Sequence, residues 1–439
     1  MTSRKTEFEP KEVWQDVLLG DDRYFQLATG GTPSTERQEY WENGTVPWLS
    51  SGEVHKKIIR FADGRITEEG FQHSNARFYP THSILIALAG QGKTRGTAAI
   101  TEIEVTSNQS IAAVIPNKEL VEPYFVYYYV DWLYQELRSM SAGAGRAGLN
   151  LSILAKVPIK LPNKLVQERI AAVLSCIDRG IGYTEAVIGK HQHIKTGLIH
   201  DLLTKGIDEH GNIRSETTHE FKDSALGRIP KEWDVERFGE ACEKVSVGIA
   251  TSTAKHFADD GIPLIRNQNV KENGFDTNDV LFITRKFDEA NKNKRLRPLD
   301  IVIVRTGYPG LSSVVPEEMA GWQTFTTLIS RPRQSRYDSH FLSLLINSDV
   351  CKRQIANLQA GGAQQNLNVG WIVNMTVLRP PRQEQADIVH LLDSLEANIW
   401  NARAKVSKFR RLKAGLMQDL LTGKVSVKSL LVEVGAVNA

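Results

Sequence analysis

The chain repeats itself. "LNLSILAKVPIKLP" (Leu149–Pro162) aligns with "LNVGWIVNMTVLRP" (Leu367–Pro380) at an offset of 218 residues. The register continues without a gap, so Gln167 falls on Gln385, Ile170 on Ile388, Leu174 on Leu392 and Ile181 on Ile399. It closes with "KTGLIHDLLT" (Lys195–Thr204) on "KAGLMQDLLT" (Lys413–Thr422), ten positions with seven identities. A duplication of this extent constrains the fold more than any local signal, because each half must build the same unit. Ahead of these blocks the match is looser. "VPWLSSGEV" (Val46–Val54) sits on "IPLIRNQNV" (Ile262–Val270) at 216, and "SILIALAGQG" (Ser83–Gly92) on "DIVIVRTGYP" (Asp300–Pro309) at 217. The scaffold repeats while the residues displayed on it differ.

Each half changes character at its proline. Up to Pro162 and Pro380 there are short apolar runs bounded by Gly, Pro, Asn and Asp, which predict a mixed head of strands and helices. Beyond them the period becomes seven. In the first copy Ile170, Ile177, Thr184, His191 and Leu198 interleave with Leu174, Ile181, Ile188, Lys195 and Leu202. In the second, Ile388, Leu395, Ala402, Phe409 and Leu416 interleave with Leu392, Ile399, Val406, Lys413 and Leu420. Such heptads predict two helices of about 40 residues, or about 60 Å at 1.5 Å per residue. A lone amphipathic helix of that length has no core, so the two are expected to pair, with His191 and Lys195 as polar exceptions that fix register.

The expected fold is therefore α/β (α+β) heads plus long antiparallel coiled-coil helices, an internal duplication with pseudo-two-fold symmetry. The boundaries read as a first head over 1–160, a first helix over 161–207, a polar linker over 208–227, a second head over 228–379, a second helix over 380–425 and a tail over 426–439. Ile170, Leu174, Ile181, Leu198, Leu202, Ile388, Leu392, Leu395, Ile399, Phe409, Leu416 and Leu420 are the candidates for spacing the heads or docking a partner.

Composition narrows the function classes. The 439 residues are 41% apolar, carry a formal net charge of +3 and include three cysteines. The longest apolar run, near "YFVYYYVDWLY" (Tyr124–Tyr134), is far short of the roughly 20 residues needed to span a bilayer. No signal-peptide-like segment opens the chain. Cys176, Cys242 and Cys351 are widely spaced, which suggests neither a disulfide framework nor a zinc site. These features read as a cytoplasmic protein with no membrane partner, and the small net charge permits nucleic acid without demanding it.

"ILIALAGQGKTRGTA" (Ile84–Ala98) invites a nucleotide-site reading for Gly90–Thr94. The phosphate-loop pattern needs a glycine six residues before its lysine, where this chain has Ala87, and a helix after it, where "RGTAAITEIEV" reads as turn and strand. Two other readings stand beside it: a plain glycine turn, or a polar tip of Lys93, Thr94 and Arg95 that touches DNA, with Arg305 and Thr306 as its counterpart in the second head. Arg266, Asn267 and Gln268 carry forked donors and amides suited to base edges. At the matching place Ser50, Ser51 and Gly52 are small. His191 and His193 are two apart on a helix, so they diverge, and no motif for catalysis or metal binding is present. The basic run Lys405, Lys408, Arg410, Arg411 and Lys413 reads as a solvated or partner-docking face.

Several segments together carry a family resemblance. They are "GGTPSTERQEYWENGTVPWLSSGEV" (Gly30–Val54), "SILIALAGQGKTRGTAAI" (Ser83–Ile100), "LPNKLVQERIAAVLSCID" (Leu161–Asp178), "LGRIPKEWDVERFGE" (Leu226–Glu240), "LRPPRQEQADIVHLLDSLE" (Leu378–Glu396) and "LKAGLMQDLLTGKV" (Leu412–Val425). In this order the chain resembles the specificity subunit of Type I restriction-modification systems. The resemblance implies that each head reads half of a bipartite DNA site and that the helices set the spacing and dock modification subunits, two in number. It also implies restriction/translocase subunits joining the assembled complex. S-adenosylmethionine, and ATP and Mg2+ for restriction, would be used by the complex, with no cofactor bound by this chain and no catalysis on it. A non-catalytic protein-interaction scaffold and a nucleotide-binding enzyme are the competing classes.

Overall fold

The computed structural model describes residues 13–90, 93–140, 148–272, 274–360 and 366–427, without the side chains of 358–360. The first residues of the first head, Gln91 and Gly92 of the glycine loop, and the tail beyond Val427 lie outside the described residues. The chain divides into two compact units, Met1–Glu185 with Arg403–Ala439, and Ala186–Ala402. Among the described residues no helix is long and apolar enough to cross a membrane.

In the first unit the central sheet has the order Phe25–Thr29, Ile111–Pro116, Ile84–Ala87, Ala98–Thr101 and Ile58–Ile59. Its central strands are continuous apolar runs because both faces are covered. Alternate residues point to opposite sides. Ile84, Ile86, Ala98, Ile100, Ala112 and Val114 join a core with the helix Pro123–Trp132. Leu85, Ala87, Ala99, Ile111 and Ala113 join a second core on the other face. A smaller sheet orders Gly64–Ile66, Val46–Leu49 and Thr106–Ser107, the last pair parallel. Gln15–Leu18 pairs antiparallel with Pro158–Leu161, which leads into the long helix Lys164–Thr204.

The second unit repeats this plan. Cys242–Val247, Leu328–Pro332, Ile301–Ile303 and Ser312–Val314 follow the same order, and Ile262–Ile265 again pairs antiparallel with Leu281–Ile283 and parallel with Gln323–Thr324. The alternation also recurs: Ile301 and Ile303 enter one core, Val302 and Val304 the other. Asp234–Arg237 pairs with Thr376–Arg379 ahead of the second long helix, Arg382–Leu420.

Each long helix is bound to its head by a buried glutamine. Gln167 Oε1 accepts from the Glu122 amide at 2.9 Å and its Nε2 donates to the Pro162 carbonyl at 2.8 Å. Gln385 accepts from the Asp338 amide at 2.9 Å and donates to the Pro380 and Arg336 carbonyls. Glu122 and Asp338 are the N-caps of the equivalent head helices Pro123–Trp132 and Ser339–Asn347. Gln385→Leu leaves buried backbone groups unpaired and is expected to cost about 1–3 kcal/mol, read as a lower urea midpoint. A loss below 0.5 kcal/mol, on the order of measurement scatter for a surface change, would show that the brace is not needed.

The helices run antiparallel within the first unit, since Asp178 meets Lys413 at 2.7 Å while Glu185 meets Arg410 at 2.6 Å. Phe409 lies over Gly180, where an added Cβ would stand 3.5 Å from the ring. In the second unit Lys195 meets Glu396 at 2.6 Å. The 218-residue offset carries Asp178 onto Glu396 and Lys195 onto Lys413, so the duplication supplies the same ion pair twice. Partly exposed pairs of this kind are worth about 1 kcal/mol or less, and their main effect is on register. Thr184, the first helix's polar seam residue, is buried and donates to the Gly180 carbonyl at 2.7 Å.

The seam residues do not act as one class. Ile170, Leu174 and Leu420 are buried in the first head's core, with Leu416 packed against it. Leu202, Ile388 and Leu392 are buried in the second head's core, with Leu198 against it. Ile399 is buried, while Ile181, Leu395 and Phe409 are half-buried along the helices. The heptads therefore lead out of helix pairing and into head packing at both ends. Sequence spacing cannot separate the two, because either partner rewards the same apolar stripe.

The 208–227 stretch, polar enough to read as a tether, is folded onto the second unit. Phe221–Ser224 and Gly227–Pro230 form a hairpin. Arg214 is buried and forms a bidentate pair with Glu384, which also accepts from the Ile207 amide at 2.9 Å and from Trp233 Nε1 at 3.0 Å.

Candidate nucleic-acid interface

In the second head the candidate residues come together at the ends of two strands. Ile262–Ile265 runs into a single turn of helix, Asn267–Asn269, and Ile301–Ile303 runs into the turn Val304–Gly310. Asn267 bridges them: its Nδ2 donates to Thr306 Oγ1 at 2.8 Å and its Oδ1 accepts from the Arg305 amide at 3.2 Å. Arg305 Nε donates to the Leu367 carbonyl at 2.8 Å, and the Leu367 amide donates back to the Arg305 carbonyl at 3.0 Å. Arg305 therefore fastens the strand end to the segment before Asn368. Arg266 Nη2 donates to Asp279 Oδ2 at 2.9 Å, and Gln268 Nε2 donates to the same oxygen at 3.0 Å. Asp279 thus orients both side chains, and it is a residue that sequence reading did not single out. The buried Arg266 Nε has no hydrogen-bond partner among the described residues.

The first head holds a different set on the same frame. Ser50, Ser51 and Gly52 stand at the strand end, and Glu53 replaces Asn269 as the acceptor from the strand-end amide, at 3.2 Å. Glu53 and Asp63 both pair with Lys56, at 3.0 and 2.8 Å. Burial works against the Lys56 charge, but hydrogen bonds to these carboxylates outweigh it and raise the pKa.

Lys93, Thr94 and Arg95 lie between two antiparallel strands, Ile84–Ala87 and Ala98–Thr101, so a strand rather than a helix follows the lysine. Lys93 is exposed, and its carbonyl accepts from Tyr134 Oη and Thr97 Oγ1, each at 2.9 Å. Gly96, at φ +82, turns the chain back, and its amide donates to the Ala87 carbonyl at 2.9 Å. Arg95 is half-buried and its Nε is without a partner among the described residues. The outgoing strand places Arg305 on buried Leu88, and the equivalent bonds from the Gly96 amide to Ala87 and from the Gly310 amide to Val304 place Lys93 on Gly307, so Arg305 and Thr306 are not positional counterparts of the Lys93 tip. The two loops share a hairpin, not a residue pattern.

Other candidate chemistry is not assembled. Among the described residues no group of three or more His, Cys, Asp or Glu could hold a metal. His193 is exposed and His191 half-buried. Burial pushes the Cys242 and Cys351 thiols up to about 12, so neither is a nucleophile at neutral pH.

The most exposed large apolar or aromatic side chain among the described residues is Tyr308, 81% accessible at the apex of the second head's turn. Sequence reading passed over it, although "TGYPG", an aromatic between glycines and a proline, carries a turn signal that could have found it.

The Type I restriction modification DNA specificity domain matches residues 11–189 and again 230–406. The chain belongs to this family. Among related specificity-family proteins, the Type I restriction enzyme MjaVIII specificity subunit of Methanocaldococcus jannaschii is 24% identical over 427 residues, covering 95% of this chain and 94% of that one. The EcoR124I/EcoR124II specificity subunit of Escherichia coli is 29% identical over 152 residues, 34% of this chain and 37% of that one. A Type I restriction-modification S subunit from M. genitalium shares the fold with a TM-score of 0.56 at 16% identity, covering 94% of this chain and 97% of that chain. The family model's two matches fall on the two repeats, so the specificity domain is what has been duplicated.

Proposed function

We propose that this chain is the DNA sequence-specificity subunit of a Type I restriction-modification complex. Each head recognises one half of an asymmetric bipartite site, and the paired helices set the spacing and dock two adenine-methylating modification subunits. Restriction/translocase subunits join through the assembled complex. S-adenosylmethionine serves methylation and ATP with Mg2+ serves restriction, on those other subunits; this chain supplies the address and not the reaction.

One observation carries the reading: two heads of the same strand order and the same glutamine brace present different side chains at equivalent strand ends, Ser50–Gly52 against Arg266–Gln268. Sequence is read by side chains at base edges, while phosphate contacts only position the protein. Equal frames with unequal tips therefore suit an asymmetric site. The deciding experiment is co-expression with the cognate modification subunits followed by genome-wide mapping of methyladenine. A split motif of two different halves is expected, and an active, assembled complex that methylates without one would sink the proposal.

Lys93 is exposed on a loop whose backbone is tied down, which suits a phosphate contact. Lys93→Ala in the assembled complex is expected to reduce the slope of log K against log salt by about one and to leave the motif unchanged. Titrations of cognate DNA at several salt concentrations check this; an unchanged slope removes Lys93 from the interface.

A further inference from the structure

Tyr308 has no packing role that would explain its place. The residue is 81% exposed, yet the chain beneath it is tied down by hydrogen bonds. Gly307 and Gly310 adopt φ values of +84 and +92, which favour glycine, and a Cβ on Gly310 would stand 2.5 Å from Ile355 Cδ1. The Gly310 amide donates to the Val304 carbonyl at 3.0 Å, and the Leu311 amide to the Tyr308 carbonyl at 3.1 Å. Below the turn, Arg305 is tied to Leu367, and Asn267 is tied to both Arg305 and Thr306. The result is a braced turn from which an aromatic side chain projects outside any core. A rigid aromatic with a hydroxyl at its end loses little conformational freedom on contact and offers both an apolar edge and a donor. Gly310, whose amide donates to the Val304 carbonyl, matches Gly96, whose amide donates to the Ala87 carbonyl, so Thr94 stands at the place of Tyr308 in the first head. The two tips thus carry different chemistry on matching strands.

We propose that Tyr308, held by the Asn267–Arg305–Thr306 brace, is a specificity-determining residue that contacts a base edge in the half-site read by the second head. The inference rests on the function proposed above and deepens it by assigning part of the readout to one side chain. A base-edge contact discriminates between base pairs, whereas a phosphate contact weakens all sequences alike.

The test uses the full chain assembled with its modification subunits, comparing the unsubstituted protein with Tyr308→Ala and Tyr308→Phe. Methyladenine mapping gives the motif, and competition between duplexes altered in one half-site gives the discrimination. Tyr308→Ala is expected to relax at least one position of the second head's half-site by roughly ten-fold or more. The first half-site stays unchanged, which also shows that the complex is assembled. Tyr308→Phe separates ring from hydroxyl: relaxation equal to that of the alanine variant assigns the contact to the hydroxyl, and retained discrimination assigns it to the ring. An unchanged motif and unchanged discrimination in Tyr308→Ala would overturn the proposal, as would a uniform loss of affinity with the motif intact. If the unsubstituted complex itself yields no split motif, the specificity function falls, and this inference with it.

Discussion

Ending the chain after Ala414 is expected to unfold the first head. Met417, Leu420, Leu421 and Val427 are buried in that head's core, beside Val17, Phe125 and Leu174. Full burial of such side chains contributes about 1.5–3 kcal/mol each. Their joint loss is on the order of 6–12 kcal/mol, comparable with the entire stability of a domain at about 5–15. Gly423 goes as well, with its φ of +69 and its close approach to the Trp14 indole. Hydrogen exchange reads the result: the amides of Ile84–Ala87 should lose protection while those of Ile301–Ile303 keep it. Leu202→Ala is the complementary variant, since Leu202 occupies the position equivalent to Leu420 and lies in the second head's core. It should cost about 2–5 kcal/mol and loosen the second head instead. Protection of Ile84–Ala87 in the shortened chain would refute this account of where the first head's core ends.

Glu384→Val is expected to be nearly as damaging within the second unit. Glu384 answers Arg214, Trp233 and the Ile207 amide in a buried site, and Gly206, at φ +64, packs against the same three side chains. Removing one partner of a buried ion pair strands the other, at a cost of about 3–5 kcal/mol. The repeat itself offers the apolar alternative: Val166 occupies the equivalent position and is buried in the first head's core. Adding Arg214→Met to Glu384→Val removes the stranded charge and should restore most of the loss, leaving the unpaired Trp233 indole and Ile207 amide. Urea titrations of the two single variants and the double variant form the cycle. A double variant no more stable than Glu384→Val would show that the charge pair is not the source of the effect.

The strength of the sequence signal depended on how local its cause was. Short continuous apolar runs such as "SILIAL" and "DIVIV", bounded by turn residues, identify strands buried on both faces, and the period of seven identifies the helices. Asn267, Arg305 and Thr306 could be nominated by chemistry, but the bond between Asn267 and Thr306 spans 39 residues and has no local trace. Asp279 was invisible because an acidic residue in a turn has meaning only once Arg266 and Gln268 are seen to share it. Arg305 shows the opposite case. Its guanidinium looked like a free donor, whereas its Nε is used to fasten Leu367.

The amino-acid sequence by itself determined the duplication, the mixed heads and the long helices. Each of these is written as periodicity or as identity at a constant offset. Only the tertiary structure decided that Leu420 and Leu421 complete the first head and Leu202 and Leu203 the second, that Arg214 belongs to a buried cluster, and that Tyr308 stands on a braced turn. Those outcomes depend on which apolar stripe meets which core and on which charge finds its partner far along the chain. An apolar residue gains by leaving water wherever it is buried, so periodicity states that it will be buried and leaves its neighbour to the packing.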